Sequence, residues 1–139
     1  MKKFELINHT ADIGIKVEGD SLKEVFKNLA VGMFEIMVDI KPKRGKSISD
    51  KIEITSPDLI SLAHDWLGEL LYIFNTKHIV FNKFKINNIT EFSLNAKITG
   101  ELFNPEKHVI KKEIKAVTYH GLKIESKNNR WVGQVIFDI

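Results

Sequence analysis

Carboxylates near the two ends of the sequence are the groups whose type and position could do chemistry. Asp12 closes the segment His9-Thr10-Ala11-Asp12, and Asp138 stands beside the α-carboxylate of Ile139 at the other end. Clustered carboxylates repel one another unless a cation or a lysine compensates their charge. Oxygen ligands without nitrogen or sulfur suit a hard ion such as calcium or magnesium. The residues therefore allow a cation site, most directly at Asp138 and the terminal carboxylate.

Both carboxylate groups also have a purely structural interpretation. Thr10 and Asp12 could belong to a polar turn in which their side chains bond nearby backbone donors. The end of the chain could be frayed, as most termini are, although a strand face carrying Trp131, Val135 and Phe137 should hold it in a sheet. The residues alone leave both interpretations open.

Catalytic motifs of the common enzyme classes are absent from the sequence, which contains no P-loop, GxGxxG, GxSxG or HExxH pattern. Because there is no cysteine, disulfides, thiolate metal sites and cysteine nucleophiles are excluded. The five histidines form no i, i+4 pair on a helix, so a zinc site would require three of them to converge from distant parts of the chain. The sequence indicates a protein without catalytic machinery of its own.

Two amphipathic helices are expected to position these groups. Ser21 and Glu24 have the spacing of a capping box, which opens a helix of about 17 residues ending near Asp39. Ser56 as N-cap and Pro57 at the first helical position start a second helix of about five turns. Each helix is apolar on one face only, so each must pack against another element, and strands are the available partner.

The rest of the chain reads as strands and turns. Alternating or β-rich runs predict strands at residues 13–17, 52–55, 79–86, 92–98, 114–120 and 131–139, with a hairpin turn at 126–130. Residues 40–51 are expected to form a polar, basic loop, the best candidate for a mobile segment. Without a βαβαβ rhythm, this order predicts an α+β fold, a largely antiparallel sheet with two amphipathic helices packed on one face. Residues 1–139 should form a single domain.

The charge distribution says little about partners. The net charge of +3, from 21 basic and 18 acidic residues, is too mild to identify a nucleic-acid binder. Two basic clusters, within 41–51 and 107–115, are expected to be solvated; the alternative is a surface that meets an acidic protein patch or RNA phosphate. No signal peptide and no apolar run of about 18 residues is present, so a cytoplasmic location without membrane contact is expected.

The chain resembles the archease family in blocks that follow the family's order over the full length. The blocks are His9-Thr10-Ala11-Asp12-Ile13-Gly14, the helix end Phe34–Asp39, the helix segment Trp66–Leu71, Gly100-Glu101 with His108, Lys115-Ala116-Val117-Thr118-Tyr119-His120, and Asp138-Ile139. The first block alone is weakly specific, whereas the first and the last two together are strongly specific. One departure is Asn8, where the family favours Glu.

This resemblance implies an accessory protein rather than an enzyme. Archeases activate the RtcB-type RNA ligase, which joins tRNA exon halves in a GTP-dependent reaction, by promoting guanylylation of the ligase's active-site histidine and repeated turnover. The family's metal site, usually assigned to calcium, maps onto Asp12, Asp138 and Ile139, the last through its terminal carboxylate. The resemblance thus implies the ligase as partner, tRNA indirectly through it, and no DNA.

Four further positions are expected to matter near that site. Lys115 and Asp39 are similar to functional positions of the family, but they could equally be a solvated strand lysine and a residue near a helix end. His9 and His120 could be partly buried, hydrogen-bonded histidines that orient their neighbours. Two other functions also stay open, a small metal-dependent hydrolase acting on RNA or nucleotides and a general chaperone-like or RNA-binding module.

Overall fold

The computed structural model describes residues 4–8, 11–41 and 45–139, and its strands are paired antiparallel. In chain order the elements are β1 (Phe4–Asn8), β2 (Asp12–Gly19), α1 (Leu22–Met37), β3 (Val38–Ile40), β4 (Ile48–Thr55), α2 (Leu59–Lys77), β5 (Ile79–Ile89), β6 (Ser93–Leu102), β7 (His108–Ile110), β8 (Ala116–Val117), β9 (Lys123–Lys127) and β10 (Arg130–Asp138). The predicted α+β class is confirmed.

Within the described ranges the strands divide among three sheets rather than forming one. The largest has the order β1-β2-β10-β8, and β9 also pairs with β10, so that the edge of β10 is shared by two short partners. The strand β8 pairs with the end of β10, whereas β9 pairs with its beginning. A second sheet has the order β4-β6-β5, and β3 and β7 form a two-stranded ribbon.

The helix N-termini show how side chains decide where each helix begins. The hydroxyl of the N-cap residue Ser21 accepts the N–H of Glu24 at 3.2 Å, as in a capping box. The Glu24 carboxylate accepts the N–H of Asp20, one residue before the N-cap, instead of the N–H of Ser21. The second helix begins later than expected, because Asp58 rather than Ser56 is its N-cap. The Asp58 carboxylate accepts the N–H of Ser61 at 2.7 Å, and hydrogen bonds from Ser61 lower the pKa of Asp58.

The basic loop expected at residues 40–51 is shorter than predicted. Helix α1 ends at Met37 and the chain passes directly into β3, which contains Asp39, while residues 48–51 belong to β4. Residues 42–44 lie outside the described residues. The strand expected at 114–120 is likewise reduced to β8. The strands β3 and β4 shorten the loop because each pairs with a distant strand, β3 with β7 and β4 with β6. Local alternation of side chains does not reveal such pairing.

The core lies where α1 meets the five-stranded sheet and β5, with α2 packed beside it. Ile15 of β2 and Phe137 of β10 are fully buried, as is Phe26 of α1. Trp66 of α2 is also fully buried, and its indole N–H donates to the carbonyl of Phe26 at 2.9 Å, which joins the two helices. The expectation that the last strand is held down by its apolar face is confirmed. None of the helices in the described part of the chain is long and apolar enough to cross a membrane.

Candidate functional site

Asp12 and Asp138 lie directly opposite each other in the five-stranded sheet. Asp12 is the first residue of β2 and Asp138 is the last residue of β10, and the register pairs them. At the next position the N–H of Ile139 donates to the carbonyl of Ala11 at 3.3 Å. Because hydrogen-bonded and non-hydrogen-bonded pairs alternate along an antiparallel ladder, Asp12 and Asp138 form a non-hydrogen-bonded pair, with Cα atoms about 4.5 Å apart and side chains on the same face.

This pairing follows from the apolar pattern of the two strands. Ile13 and Ile15 of β2 are opposite Phe137 and Val135 of β10, and all four side chains are buried. A slip by one residue would turn these side chains out of the core, so burial fixes the register. The aspartates then fall on the opposite face, at the end of both strands. The core thus determines that the carboxylates meet.

One oxygen of this pair has no partner. Asp12 Oδ1 is buried and makes no hydrogen bond within the described structure, whereas Asp138 is exposed. A buried carboxylate oxygen without a partner is unfavourable, and facing carboxylates also repel each other. A bound cation removes both penalties. The residues therefore fit the cation site that the sequence predicts, and oxygen donors suit calcium or magnesium.

Lys115 adjoins the same end of the sheet from the other side of β10. It directly precedes β8, and its backbone N–H donates to the carbonyl of Asp138 at 2.8 Å. Its side chain is exposed. Asp12, Asp138 and Lys115 thus come from three neighbouring strand ends, β2, β10 and β8. The backbone therefore places Lys115 next to Asp138, although no ion pair between described residues joins its ammonium to either aspartate.

The predicted ligand set contains only two side chains of the usual metal-binding types. Among the described residues, no group of three or more His, Cys, Asp or Glu side chains is placed to hold a metal ion. The third predicted ligand is the α-carboxylate of Ile139, whose residue is half-buried and fixed by its hydrogen bond to Ala11. The predicted site therefore depends on a main-chain carboxylate as well as on Asp12 and Asp138.

The remaining predicted residues are not joined to this cluster. Asp39 is exposed in β3, opposite Val109 of β7, and no hydrogen bond or ion pair between described residues links it to the aspartate pair. His120 is exposed in the turn that follows β8. His9 lies outside the described residues, as does Thr10. Roles for Asp39, His9 and His120 therefore stay predictions.

A histidine that sequence reasoning did not select fixes β8. His64 Nε2 lies 3.1 Å from the carbonyl oxygen of Val117, and His64 Nδ1 lies 3.1 Å from Asp65 Oδ1. The ring also stacks on Tyr119, with centroids 4.0 Å apart. Asp65 in turn accepts the hydroxyl of Ser56 at 2.7 Å. In a hydrolytic triad the serine bonds the imidazole, so this chain of contacts holds the strand next to the site and provides no nucleophile.

A second cluster is buried at the end of β6. Lys107 Nζ donates to the Glu101 carboxylate at 2.8 Å, and His108 Nε2 lies 2.9 Å from Glu101 Oε1. His108 Nδ1 accepts the N–H of Asn104, so Nε2 carries the hydrogen and donates to Glu101. Burial raises the pKa of Glu101, but the hydrogen bonds and charges of Lys107 and His108 outweigh burial, so the pKa lies below its ordinary value.

The expectation that Lys107 is solvated with its basic cluster is wrong. Only 9% of Lys107 is exposed, because its ammonium is drawn inward to Glu101, while Lys111, Lys112 and Lys115 are exposed as expected. In the sequence, Glu101 is a single acidic residue at the end of a strand with alternating side chains. The local pattern does not indicate that it binds a lysine six residues later. Glu101 and His108 had entered only through the family resemblance.

Comparisons with known proteins cover the whole site. Residues 4–139 match the model of the Archease protein family (MTH1598/TM1083). The chain is 44% identical to protein archease of Methanosarcina acetivorans, over 99% of this chain and 97% of that one. It is 41% identical to protein archease of Pyrococcus furiosus over the full length of both chains.

Two solved structures have the same fold. The solution structure of Methanobacterium thermoautotrophicum protein 1598 superposes with a TM-score of 0.82 at 38% identity, covering both chains completely. The crystal structure of a Thermotoga maritima archease, described as a possible chaperone, gives a TM-score of 0.63 at 22% identity. It covers 96% of this chain and 94% of that one, and at this identity the likeness concerns the fold alone.

Proposed function

Since this chain belongs to the archease protein family, we propose that it is a non-enzymatic activator of an RtcB-type, GTP-dependent RNA ligase in tRNA splicing. In this role it promotes guanylylation of the ligase's active-site histidine and supports repeated turnover. Support comes from family membership over residues 4–139 and from a strand-end site that offers two carboxylates and a lysine. The cytoplasm is the proposed location.

The observation that carries the proposal is the buried, unpartnered Oδ1 of Asp12 facing Asp138. In the proposed site Asp12, Asp138 and the α-carboxylate of Ile139 hold a divalent ion, calcium or magnesium. Their three negative charges are balanced by the ion together with the ammonium of Lys115. When bound, such an ion supplies a concentrated positive charge that polarises phosphate oxygens.

The residues of the proposed site have different roles. Asp12 is half-buried, and its buried Oδ1 lies on the inner side of the site, whereas Asp138 and Lys115 are exposed and accessible to a partner. The hydrogen bond from the Lys115 backbone to Asp138 holds these two charged residues together. The two backbones are therefore in a fixed arrangement, from which the exposed side chains can reach the ligase's nucleotide site. A competing interpretation is that the site only shapes a docking surface.

Ligase guanylylation tests the proposal. We expect wild-type chain to increase the rate at which the purified ligase becomes guanylylated from GTP, and Asp12→Ala and Asp138→Ala to reduce that stimulation by about tenfold or more. Glu53→Ala, which removes an exposed carboxylate from β4, is the matched control and should stimulate like wild type. If both aspartate variants stimulated fully, the carboxylate site would have no role in activation.

Two measurements separate this function from its rivals. A hydrolase would turn over RNA ends or nucleoside triphosphates when given metal alone, and we expect no turnover without the ligase. A chaperone role is the second candidate, because the Thermotoga maritima archease is described as a possible chaperone. A chaperone would protect unrelated aggregating proteins, whereas an activator acts on its ligase only.

A further inference from the structure

The short strand β8 covers the end of β10 that carries the candidate site. The beginning of β10 pairs with β9, whereas β8 pairs with its last two residues, Phe137 and Asp138. The N–H of Lys115 donates to the carbonyl of Asp138 at 2.8 Å. Thr118 donates to the carbonyl of Ile136 through its N–H at 3.1 Å and through its hydroxyl at 2.9 Å. These contacts fix the end of β10 on the edge that β2 does not occupy.

The outer edge of β8 is held by a side chain. Among the described strands, β8 pairs with β10 alone, and it contains only Ala116 and Val117. Since the N–H of Thr118 points to β10, the carbonyl of its neighbour Val117 points away from β10. His64 Nε2 of α2 lies 3.1 Å from that carbonyl oxygen. A strand pair this short is marginally stable by itself, so the contact with His64 helps to keep β8 in place.

The ring of His64 is in turn oriented by its neighbours. Nδ1 lies 3.1 Å from Asp65 Oδ1, and the other oxygen of Asp65 accepts the hydroxyl of Ser56 at 2.7 Å. The ring stacks on Tyr119, with centroids 4.0 Å apart and planes 9° apart. Because the Val117 carbonyl and the Asp65 carboxylate can only accept, the ring satisfies both when each nitrogen carries a hydrogen. The ring cannot turn away from Val117 without losing these contacts as well.

We infer that His64 is a positioning residue for the cation site. Its bond to Val117 keeps β8 against β10, and β8 keeps Asp138 and the α-carboxylate of Ile139 in the geometry that binds the ion. The inference rests on the cation site of the proposed function. Side chains that orient metal ligands directly change metal affinity by about tenfold to a hundredfold. His64 acts through a strand, so its removal should weaken cation binding by about threefold to tenfold.

Two amide side chains in place of His64 separate the contacts of its ring. The amide nitrogen of glutamine extends about as far as Nε2, whereas that of asparagine extends only about as far as Nδ1. His64→Gln therefore retains a donor for the Val117 carbonyl, and His64→Asn does not. In calorimetric titration with calcium, we expect affinity within about twofold of wild type for His64→Gln and about threefold to tenfold weaker for His64→Asn. The control is His78→Asn, at the exposed histidine that caps the end of α2, which should bind like the wild type.

Amide hydrogen exchange in the calcium-free chain shows where the variants act. The N–H groups of Lys115 and Thr118 should exchange about threefold to tenfold faster in His64→Asn than in the wild type, and at the wild-type rate in His64→Gln. Amides of the β4-β6-β5 sheet should be unchanged in both variants. Faster exchange throughout the chain would mean that the substitution loosens the whole fold, and it would overturn the inference.

The remaining outcomes separate the inference from the proposed function. Calcium affinity unchanged in His64→Asn, or reduced equally in His64→Gln, would overturn the inference and leave the proposed function intact. At saturating calcium, His64→Asn should stimulate ligase guanylylation like the wild type, and a persistent deficit would overturn the inference too. Wild-type chain that binds calcium without stimulating the ligase would overturn the proposed function alone. Wild-type chain that binds neither calcium nor magnesium would overturn the cation site and the inference with it.

Discussion

The arrangement of Asp12 and Asp138 is unfavourable without a bound cation, and this leads to a prediction about cation binding. A buried carboxylate oxygen without a partner, facing a second carboxylate, destabilises the chain unless a cation is present. A ligand that binds only the folded state raises the melting temperature by mass action. The site should therefore reveal itself in stability as well as in activity.

Thermal unfolding of Asp138→Asn tests this expectation without the ligase. We expect calcium or magnesium to raise the melting temperature of the wild type and to have little effect on the variant. In the presence of a chelator, the melting temperature of the variant should be equal to or higher than that of the wild type, because the variant has lost the charge repulsion with Asp12. An equal rise on calcium addition for both proteins would contradict a site that includes Asp138.

Glu101 carries a pH-dependent part of the stability. Its pKa in the folded chain lies below the ordinary value of 4.5 because of hydrogen bonds from Lys107 and His108, despite burial. A lowered folded-state pKa stabilises the chain above the unfolded-state value, and that contribution is lost as the pH falls through the folded-state pKa. Glu101→Gln should cost about 2–4 kcal/mol near pH 7, since it leaves the buried Lys107 without its counter-charge.

Chemical denaturation across pH measures this contribution. The difference in unfolding free energy between wild type and Glu101→Gln should be constant above about pH 5 and shrink below pH 4. The exposed Glu53→Gln should show neither the loss nor the pH dependence. A difference that did not shrink in acid would mean that the cost comes from packing rather than from the ion pair.

Among the helices, strands and turns, the sequence predicts those that depend on residues close in sequence and does not predict those that depend on pairing with a distant strand. The capping box of Ser21 and Glu24, the helical periods and the hairpin at 126–130 were all readable, because each depends on neighbours in sequence. The strands β3 and β7 were not predicted, because each has only three residues and forms through a partner far along the chain, and β8 is only part of the strand predicted at 114–120. The prediction of Ser56 as N-cap was wrong because Ser56 and Asp58, both common capping residues, lie on either side of Pro57.

The hairpin between β9 and β10 offers a prediction for an element. Asn128 and Asn129 both have positive φ, at 52° and 63°, which identifies a two-residue turn of the I′ type. Glycine is favoured at the second position of this turn because it has no Cβ to strain. Asn129→Gly should therefore increase the unfolding free energy in urea denaturation by about 0.5–1 kcal/mol, because the strain relieved at this positive φ exceeds the cost of glycine's greater freedom in the unfolded chain. Asn129→Val should decrease it, and a stabilising valine would contradict the turn assignment.

At the scale of the whole molecule, the candidate site exists only when both ends of the chain have met. Asp12 and Asp138 are separated by nearly the full sequence and become neighbours through the pairing of β2 with β10. The family resemblance predicted that the two aspartates belong to one site, and burial of the strands explains their register. The unpartnered oxygen of Asp12 is visible only in the three-dimensional structure. The same holds for the His64 contacts and the buried Glu101 cluster, which depend on residues from different elements.

The net charge of the chain conceals two surfaces of opposite character. Carboxylates gather at one end of the five-stranded sheet, while exposed lysines stand at both ends of the β3–β7 ribbon. A net charge of +3 gave no indication of either surface.

Guanylylation of the ligase, measured with the ligase in large molar excess over this chain, is the most direct test of activation through the carboxylate site. Purified ligase, GTP and a divalent ion would be mixed with wild-type chain or with Asp12→Ala, and guanylylated ligase would be counted per molecule of chain. We expect many guanylylated ligase molecules per molecule of wild-type chain, and a yield close to the unstimulated level with Asp12→Ala. Equal yields from the two proteins would contradict it.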